Sequence, residues 1–134
     1  AAAQVMTSAA EDMVRGQVLD LGGMRTEEEF RTMYALKTGA LFRAAFLSGA
    51  IAAGADDAER RLVAEYAEAL GLGFQVADDL IDEGEENSLV AVIGAEKGRA
   101  LLDECTERAV RCASRLPFGE ELAAFAEKLR TRKK

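Results

Sequence analysis

The segment YAEALGLGFQVADDLID, residues 66–82, is a helix-like run that ends in three aspartates. Its first part is rich in strong helix formers, and its apolar residues fall on more than one helical face. Acidic residues continue to position 86, and no lysine or arginine occurs between residues 62 and 96. Like charge at the carboxyl end of a packed helix is unfavourable, because the charges repel and the helix dipole disfavours anions there.

Helical periodicity extends outward from this segment in both directions, and strand signals are absent. Two capping boxes mark helix starts, Thr26 with Glu29 and Asp56 with Glu59. We predict five helices, over residues 3–21, 26–54, 56–82, 87–115 and a short segment after Pro117 that ends in RTRKK. The predicted fold class is therefore all-α.

The second predicted helix is apolar around most of its circumference, as in AFLSGAIAAGA at residues 45–55. Helices of this kind lie in the middle of large bundles, where neighbours cover every face. A chain of 134 residues is small for such a helix. We therefore expect this helix to be covered by a part of the protein that the sequence does not contain.

Composition excludes several classes of function. The net charge of −7 argues against binding to nucleic acid or anionic lipid. Histidine is absent, and Cys105 and Cys112 are seven residues apart, so we expect reduced core thiols rather than a zinc site. The longest uncharged run, between Arg43 and Asp56, has twelve residues and is too short to span a bilayer. With no signal peptide visible, we expect a cytoplasmic protein without membrane insertion.

The three aspartates have the spacing of a cation site. Asp78 and Asp82 are four residues apart and lie on one helical face, with Asp79 beside them. Oxygen ligands of this kind suit Mg²⁺ held jointly by carboxylates and substrate phosphates. An EF-hand does not fit, because the glycine that its turn requires is one place late when counted from Asp78. A solvated acidic helix end remains the alternative.

Three further polar residues lie in apolar surroundings. Lys37 is the only charged residue between Arg31 and Arg43, so it needs either an anionic partner or a path to the surface. Gln17 and Asp20 lie on a helix whose neighbouring residues Val14, Val18 and Leu21 are apolar. Local hydrogen bonding is the alternative explanation for both of them.

Three segments taken in order, GQVLDL at 16–21, KTGALFRAAFLSGA at 37–50 and the segment 66–82, resemble the trans-isoprenyl diphosphate synthases. The likeness is to bacterial farnesyl or geranyl(geranyl) diphosphate synthases, and it covers residues 6–82 well and the rest loosely. It implies an all-helical fold around a central cavity, usually homodimeric. It also implies that residues 1–134 are the C-terminal part of a polyprenyl synthase domain.

The resemblance implies a prenyltransferase that condenses an allylic diphosphate with isopentenyl diphosphate, with farnesyl diphosphate as the favoured product. Ionisation of the allylic diphosphate is assisted by Mg²⁺ and by Lys37. The implied metal ligands are Asp78, Asp79 and Asp82, and the implied catalytic residues are Lys37 and Asp78. The implied substrate-binding residues are Gln17, Asp20, Lys37, Thr38, Phe74 and Gln75.

The sequence departs from the family in two places. The family's first aspartate-rich motif is missing, since Asp78, Asp79 and Asp82 match the second, and Asp56 and Asp57 are followed by Arg60 and Arg61 and cap a helix instead. The segment after Glu83 is shorter than the family's loop. The loop is either shortened in this protein or absent from this sequence, and we expect the first motif to lie upstream of these residues. The basic RTRKK end is interpreted as a frayed tail rather than a part of the site.

Other classes of function remain open. A regulatory subunit of a heteromeric synthase is the main alternative to an enzyme, although it has no need of an intact DDLID and Lys37. A helical interaction module is disfavoured by the same residues, and terpene cyclases usually carry a different metal motif. The product length is not readable, since the family sets it with residues before the missing first motif.

Overall fold

The computed structural model describes residues 2–23, 25–82 and 84–133, and these ranges contain helices and no strand. The helices are α1 (Ala2–Gly22), α2 (Glu27–Tyr34), α3 (Ala40–Ala52), α4 (Asp57–Ile81), α5 (Leu89–Ile93), α6 (Ala95–Ala113) and α7 (Gly119–Arg130). A π-helical turn, Ala35–Gly39, joins α2 to α3. The predicted all-α class is confirmed.

The predicted helix starts are confirmed at both caps. Asp56 and Glu59 form a full capping box, since each side chain accepts a hydrogen bond from the other's backbone N–H. The Thr26 hydroxyl accepts from the Glu29 N–H at 3.2 Å, but the Glu29 carboxylate accepts from the Arg25 N–H instead of the Thr26 N–H. The Thr26 box is therefore incomplete, because the Glu29 carboxylate binds the N–H one residue before the N-cap.

The predicted fourth helix is wrong in one respect, because two helices occupy its range. Ser88 caps α5 by accepting from the Ala91 N–H at 3.1 Å. Gly94 then has φ 91° and ψ 157°, a backbone conformation that residues with a side chain rarely adopt. The chain turns at Gly94, and α6 begins at the next residue.

Helix α4 is the centre of the bundle and packs against α3, α6 and α7. Its buried residues divide into two clusters along its length. Near the carboxyl end, Val76 and Ala77 pack with α2 and α6. Near the middle, Tyr66 and Leu70 pack with α6 and α7. The aspartates at the end of α4 are thus presented by a helix that is fixed on several sides.

Cys105 and Cys112 are free thiols on α6, and both are buried, as expected. Burial raises the pKa of Cys105 to about 11. Both residues act as small apolar groups in the packing of α6 on α4.

The apolar surface expected on the second predicted helix is present, and it extends to α1. Ala44 is the only residue of α3 described as buried, and Leu41 is 46% exposed. On α1, Val14, Val18 and Leu21 are 63–81% exposed. Exposed apolar residues in this number are the mark of a surface that contacts another chain segment or subunit.

The run Glu27–Ala52 is the one stretch of the described residues that is long and apolar enough to cross a membrane by length and composition. It also carries Lys37 and Arg43. Core helices of globular proteins and signal sequences pass the same test, so this is weak evidence for a membrane span.

Candidate active site

Two side-chain hydrogen bonds join the run Glu27–Ala52 to α4. Tyr34 Oη donates to Asp79 Oδ2 at 2.8 Å, and Thr38 Oγ1 donates to Gln75 Oε1 at 3.0 Å. From Tyr34 to Thr38 the residue number rises by four, while from Asp79 to Gln75 it falls by four. The two helices are therefore antiparallel, and the two hydrogen bonds are one turn apart. The structure therefore brings together two of the predicted site residues, Thr38 and Gln75.

Lys37 has the anionic partner that its apolar surroundings require. Its Nζ donates to Asp20 Oδ2 at 2.7 Å, which joins the π-helical turn to α1. The Lys37 side chain is 40% exposed and that of Asp20 is 26% exposed, so the pair lies at the boundary between packed chain and solvent. Gln17, three residues before Asp20, is exposed. The ammonium group is thus oriented by α1 and still open to an incoming anion.

A close approach of two backbones sets the position of this ion pair. A Cβ on Gly16 would lie 2.6 Å from Lys37 N, closer than Cβ atoms approach other atoms in proteins, and 3.0 Å from Leu36 C. Gly16 precedes Asp20 by one helical turn, so α1 meets the π-helical turn at the point where the ion pair forms.

We expect the Gly16→Ala change to lower the free energy of unfolding by roughly 1–3 kcal/mol, because the two backbones must separate to admit a methyl group. Gly22→Ala, on the same helix, is the matched control, since a Cβ there meets nothing within 4 Å. That control should be neutral or slightly stabilising, because alanine favours helix more than glycine does. Urea denaturation measures both, and equal effects would contradict the close-approach argument.

Asp79 faces the core, unlike its neighbour Asp78. It is 6% exposed. Burial raises the pKa of Asp79 to about 6, although hydrogen bonds from Tyr34 and from the backbone of Val90 and Leu89 act in the opposite direction. Burial also raises the pKa of Tyr34. Asp79 therefore joins α4 to α2 and to the start of α5.

Asp78 is partly exposed and pairs with a cation from the end of the chain. Its Oδ1 accepts a hydrogen bond from the Arg132 guanidinium, whose carbon also lies 4.5 Å from the centre of the Phe74 ring. The interpretation of the basic end as a frayed tail is therefore wrong for Arg132, which folds back over α4. Phe74 also packs against Phe42, with ring centres 5.4 Å apart.

Asp82 is the residue at which α4 ends, and its side chain is exposed. The residues that the structure describes contain no group of three carboxylates or thiols placed to hold a metal ion by themselves. A groove of about 930 Å³ runs between α1, α3 and α4, and none of the nine predicted site residues lines it. The predicted residues lie outside this groove, where the π-helical turn contacts α1 through Lys37 and Asp20 and contacts α4 through Thr38 and Gln75.

A model of the polyprenyl synthetase family matches residues 1–90, two thirds of the chain, including all nine predicted site residues. The chain belongs to this family. The resemblance to the trans-isoprenyl diphosphate synthases is thereby confirmed.

Curated relatives in the polyprenyl synthetase family agree. The chain is 32% identical over 115 residues to a short chain isoprenyl diphosphate synthase of Methanothermobacter thermautotrophicus, an overlap of 82% of this chain and 35% of the relative. It is 35% identical over 91 residues to the farnesyl diphosphate synthase of Geobacillus stearothermophilus, covering 65% of this chain and 31% of the relative. The chain thus spans about a third of the length of these relatives.

Solved structures of polyprenyl synthetases share the fold. An FPP/GFPP synthase from Zymomonas mobilis aligns with a TM-score of 0.86 and 29% identity, over 97% of this chain and 49% of that one. A geranylgeranyl pyrophosphate synthetase from Pyrococcus horikoshii aligns with a TM-score of 0.88 at 19% identity, over 98% of this chain and 58% of that one, and shows the fold alone. The helical arrangement is therefore that of the isoprenyl diphosphate synthases.

The sequence did not identify three residues that organise this candidate site. Tyr34 carried a weak signal, because a tyrosine three residues before Lys37 in a buried helix needs a partner for its hydroxyl. Gly16 stood in the matching segment, but its packing role depends on a helix 20 residues away in sequence. Arg132 carried no local signal, since its partner Asp78 is 54 residues distant.

Proposed function

We propose that the chain is the C-terminal part of a short-chain prenyl diphosphate synthase, which condenses an allylic diphosphate with isopentenyl diphosphate. The observation that carries the proposal is the pair of contacts made by the π-helical turn: Lys37 pairs with Asp20 on α1, and Thr38 donates to Gln75 on α4. Asp78 lies about one helical turn beyond Gln75, with a partly exposed carboxylate. Membership of the polyprenyl synthetase family and the names of the curated relatives support the reaction class.

Lys37 supplies the charged contact to the diphosphate group in this proposal, and Thr38 lies beside it with its hydroxyl donating to Gln75. The Lys37 ammonium has three donors, and Asp20 takes one of them, so donors remain for phosphate oxygens. Because the ammonium is partly exposed, an arriving diphosphate does not have to open the core. As negative charge develops on the departing diphosphate, a fixed cation at this point stabilises it.

The Asp78 and Asp82 carboxylates are the donors that we assign to Mg²⁺. Asp78 already holds a cation, the Arg132 guanidinium, which indicates that its position attracts positive charge. Two carboxylates without a third protein ligand suit Mg²⁺, which usually completes its coordination with water and substrate phosphates. When bound, the metal would neutralise the diphosphate and favour cleavage of the carbon–oxygen bond. Asp79, being buried and bonded to Tyr34, supports this arrangement from behind.

We further propose farnesyl diphosphate as the product, a cytoplasmic location and a homodimer. Similarity to a farnesyl diphosphate synthase supports the product, although relatives named as geranylgeranyl diphosphate synthases match as well. The exposed apolar side chains of α1 support a further contact surface. No described contact favours the regulatory subunit that the sequence left open.

The test is an assay of the protein expressed from its complete reading frame, with its intact mass measured first. Isopentenyl diphosphate is supplied with dimethylallyl, geranyl or farnesyl diphosphate, and products are identified by mass spectrometry. We expect prenyl diphosphates in the presence of Mg²⁺ and none after chelation. A folded, helical protein that forms no product from any of these substrates would contradict the proposal.

A further inference from the structure

We propose that Tyr34 is a positioning residue, which holds the segment carrying Lys37 and the helix carrying Asp78 in the relative placement that binds a diphosphate. The proposal rests on the proposed function of the same site. We assign Tyr34 no contact with the substrate or with a metal ion; it acts through its hydrogen bond to Asp79.

The Tyr34 hydroxyl joins three helices at one buried oxygen atom. It donates to Asp79 Oδ2 at 2.8 Å and accepts from the Leu89 N–H at 3.2 Å. The residue is 5% exposed, so water cannot replace either bond. Helices α2, α4 and the start of α5 are therefore fixed to one another at this atom.

Both groups assigned to the diphosphate site are adjacent to this junction. Tyr34 lies three residues before Lys37, and its acceptor Asp79 is the residue next to Asp78. The Thr38–Gln75 bond lies one turn further along the same pair of helices. A shift of α4 against the π-helical turn would thus change the distance between the Lys37 cation and the Asp78 carboxylate.

The contact between these helices changes character along its length. Beyond Thr38 the buried contacts are apolar or aromatic: a Cβ on Gly71 would lie 3.1 Å from Gly39 Cα, and the Phe46 and Tyr66 rings are 5.3 Å apart. The ion pair between Arg43 and Glu68, at 3.7 Å, lies at the solvent-exposed edge of this contact. Apolar contacts in place of the Tyr34–Asp79 and Thr38–Gln75 hydrogen bonds would hold this end of the two helices together equally well, since a buried polar pair adds little net stability. Directional hydrogen bonds at the site end instead fix orientation, which is the requirement of a binding site.

The experiment compares Tyr34→Phe with Tyr66→Phe. Both changes remove a hydroxyl from a buried tyrosine, and Tyr66 donates at 2.7 Å to the Leu122 carbonyl, far along α4 from the aspartates. The probe is inorganic pyrophosphate with Mg²⁺, and its dissociation constant is measured by calorimetry on the protein expressed from its complete reading frame. Melting temperature is recorded for each variant, to compare the losses of stability.

We expect Tyr34→Phe to weaken Mg²⁺-pyrophosphate binding by roughly tenfold or more, as is usual for residues that support metal ligands. Tyr66→Phe should leave the dissociation constant unchanged while lowering the melting temperature by a similar amount. Equal effects of the two changes on binding would overturn the proposal and leave the proposed function intact. A wild-type protein that does not bind pyrophosphate would overturn both.

A second comparison applies if Tyr34→Phe does not fold. Tyr34→Phe leaves the buried Asp79 carboxylate without its side-chain donor, and adding Asp79→Asn removes the charge. The double variant, Tyr34→Phe with Asp79→Asn, should therefore fold. Its binding of Mg²⁺-pyrophosphate is then compared with that of Asp79→Asn alone. The double variant should bind more weakly, and equal binding would contradict a positioning role for Tyr34.

Discussion

Replacing Asp78 with asparagine is expected to reduce the rate of prenyl diphosphate formation by on the order of 10²- to 10³-fold, the effect of losing one group that stabilises charge in a transition state. Asparagine keeps the size of the side chain and removes its charge. Asp78 is the aspartate of α4 whose carboxylate is both partly exposed and bound to a cation in the structure. Mg²⁺-dependent binding of pyrophosphate should fall in parallel, because the same carboxylate is assigned to the metal.

Asp103→Asn is the matched control for this change. Asp103 lies on α6 and pairs with Arg130 at 3.5 Å, so it also contacts the end of the chain, and its side chain is 57% exposed. Loss of such a surface pair should change the free energy of unfolding by less than about 1 kcal/mol and leave the rate unchanged. If Asp103→Asn lowers the rate as much as Asp78→Asn does, the effect comes from the C-terminal contacts and not from a metal ligand.

The difference between Asp78 and Asp79 marks the limit of what the local sequence predicts. Helical periodicity places the two side chains about 100° apart, and the prediction that they occur on one helix is confirmed. Periodicity does not say which of them faces the core. That depends on Tyr34, which is 45 residues away and provides a buried donor for Asp79 alone.

The helices themselves were more predictable than their contacts. Caps such as Asp56 with Glu59 act within one turn, so the residues that determine them are adjacent in the sequence. The π-helical turn interrupts the predicted helix 26–54 and was not predicted, because its geometry depends on packing against α1 and α4. The role of Arg132 depends on how α7 packs on α4, which no local pattern describes.

Replacing Lys37 with methionine is the second change with a large expected effect. We expect kcat/KM to fall by about 10²-fold. Methionine keeps an unbranched, flexible stem and removes the ammonium group that we assign to the diphosphate. Lys97→Met, on the exposed surface of α6, is the control and should leave the rate unchanged. A Lys37→Met protein with wild-type kinetics would contradict the assignment of this cation to the substrate.

Stability measurements separate this role from a structural one. The Lys37–Asp20 pair is partly exposed, at 40% and 26%, so its loss should change the free energy of unfolding by less than about 1 kcal/mol. Asp20→Asn keeps the ammonium group but removes the acceptor that orients it, and should lower the rate less than Lys37→Met does. In the double variant, Lys37→Met with Asp20→Asn, the Asp20 change should lower the rate little further. Asp20 then has no cation left to orient, so the two effects are coupled. If the two losses of rate instead multiply, Asp20 contributes to the site independently of Lys37.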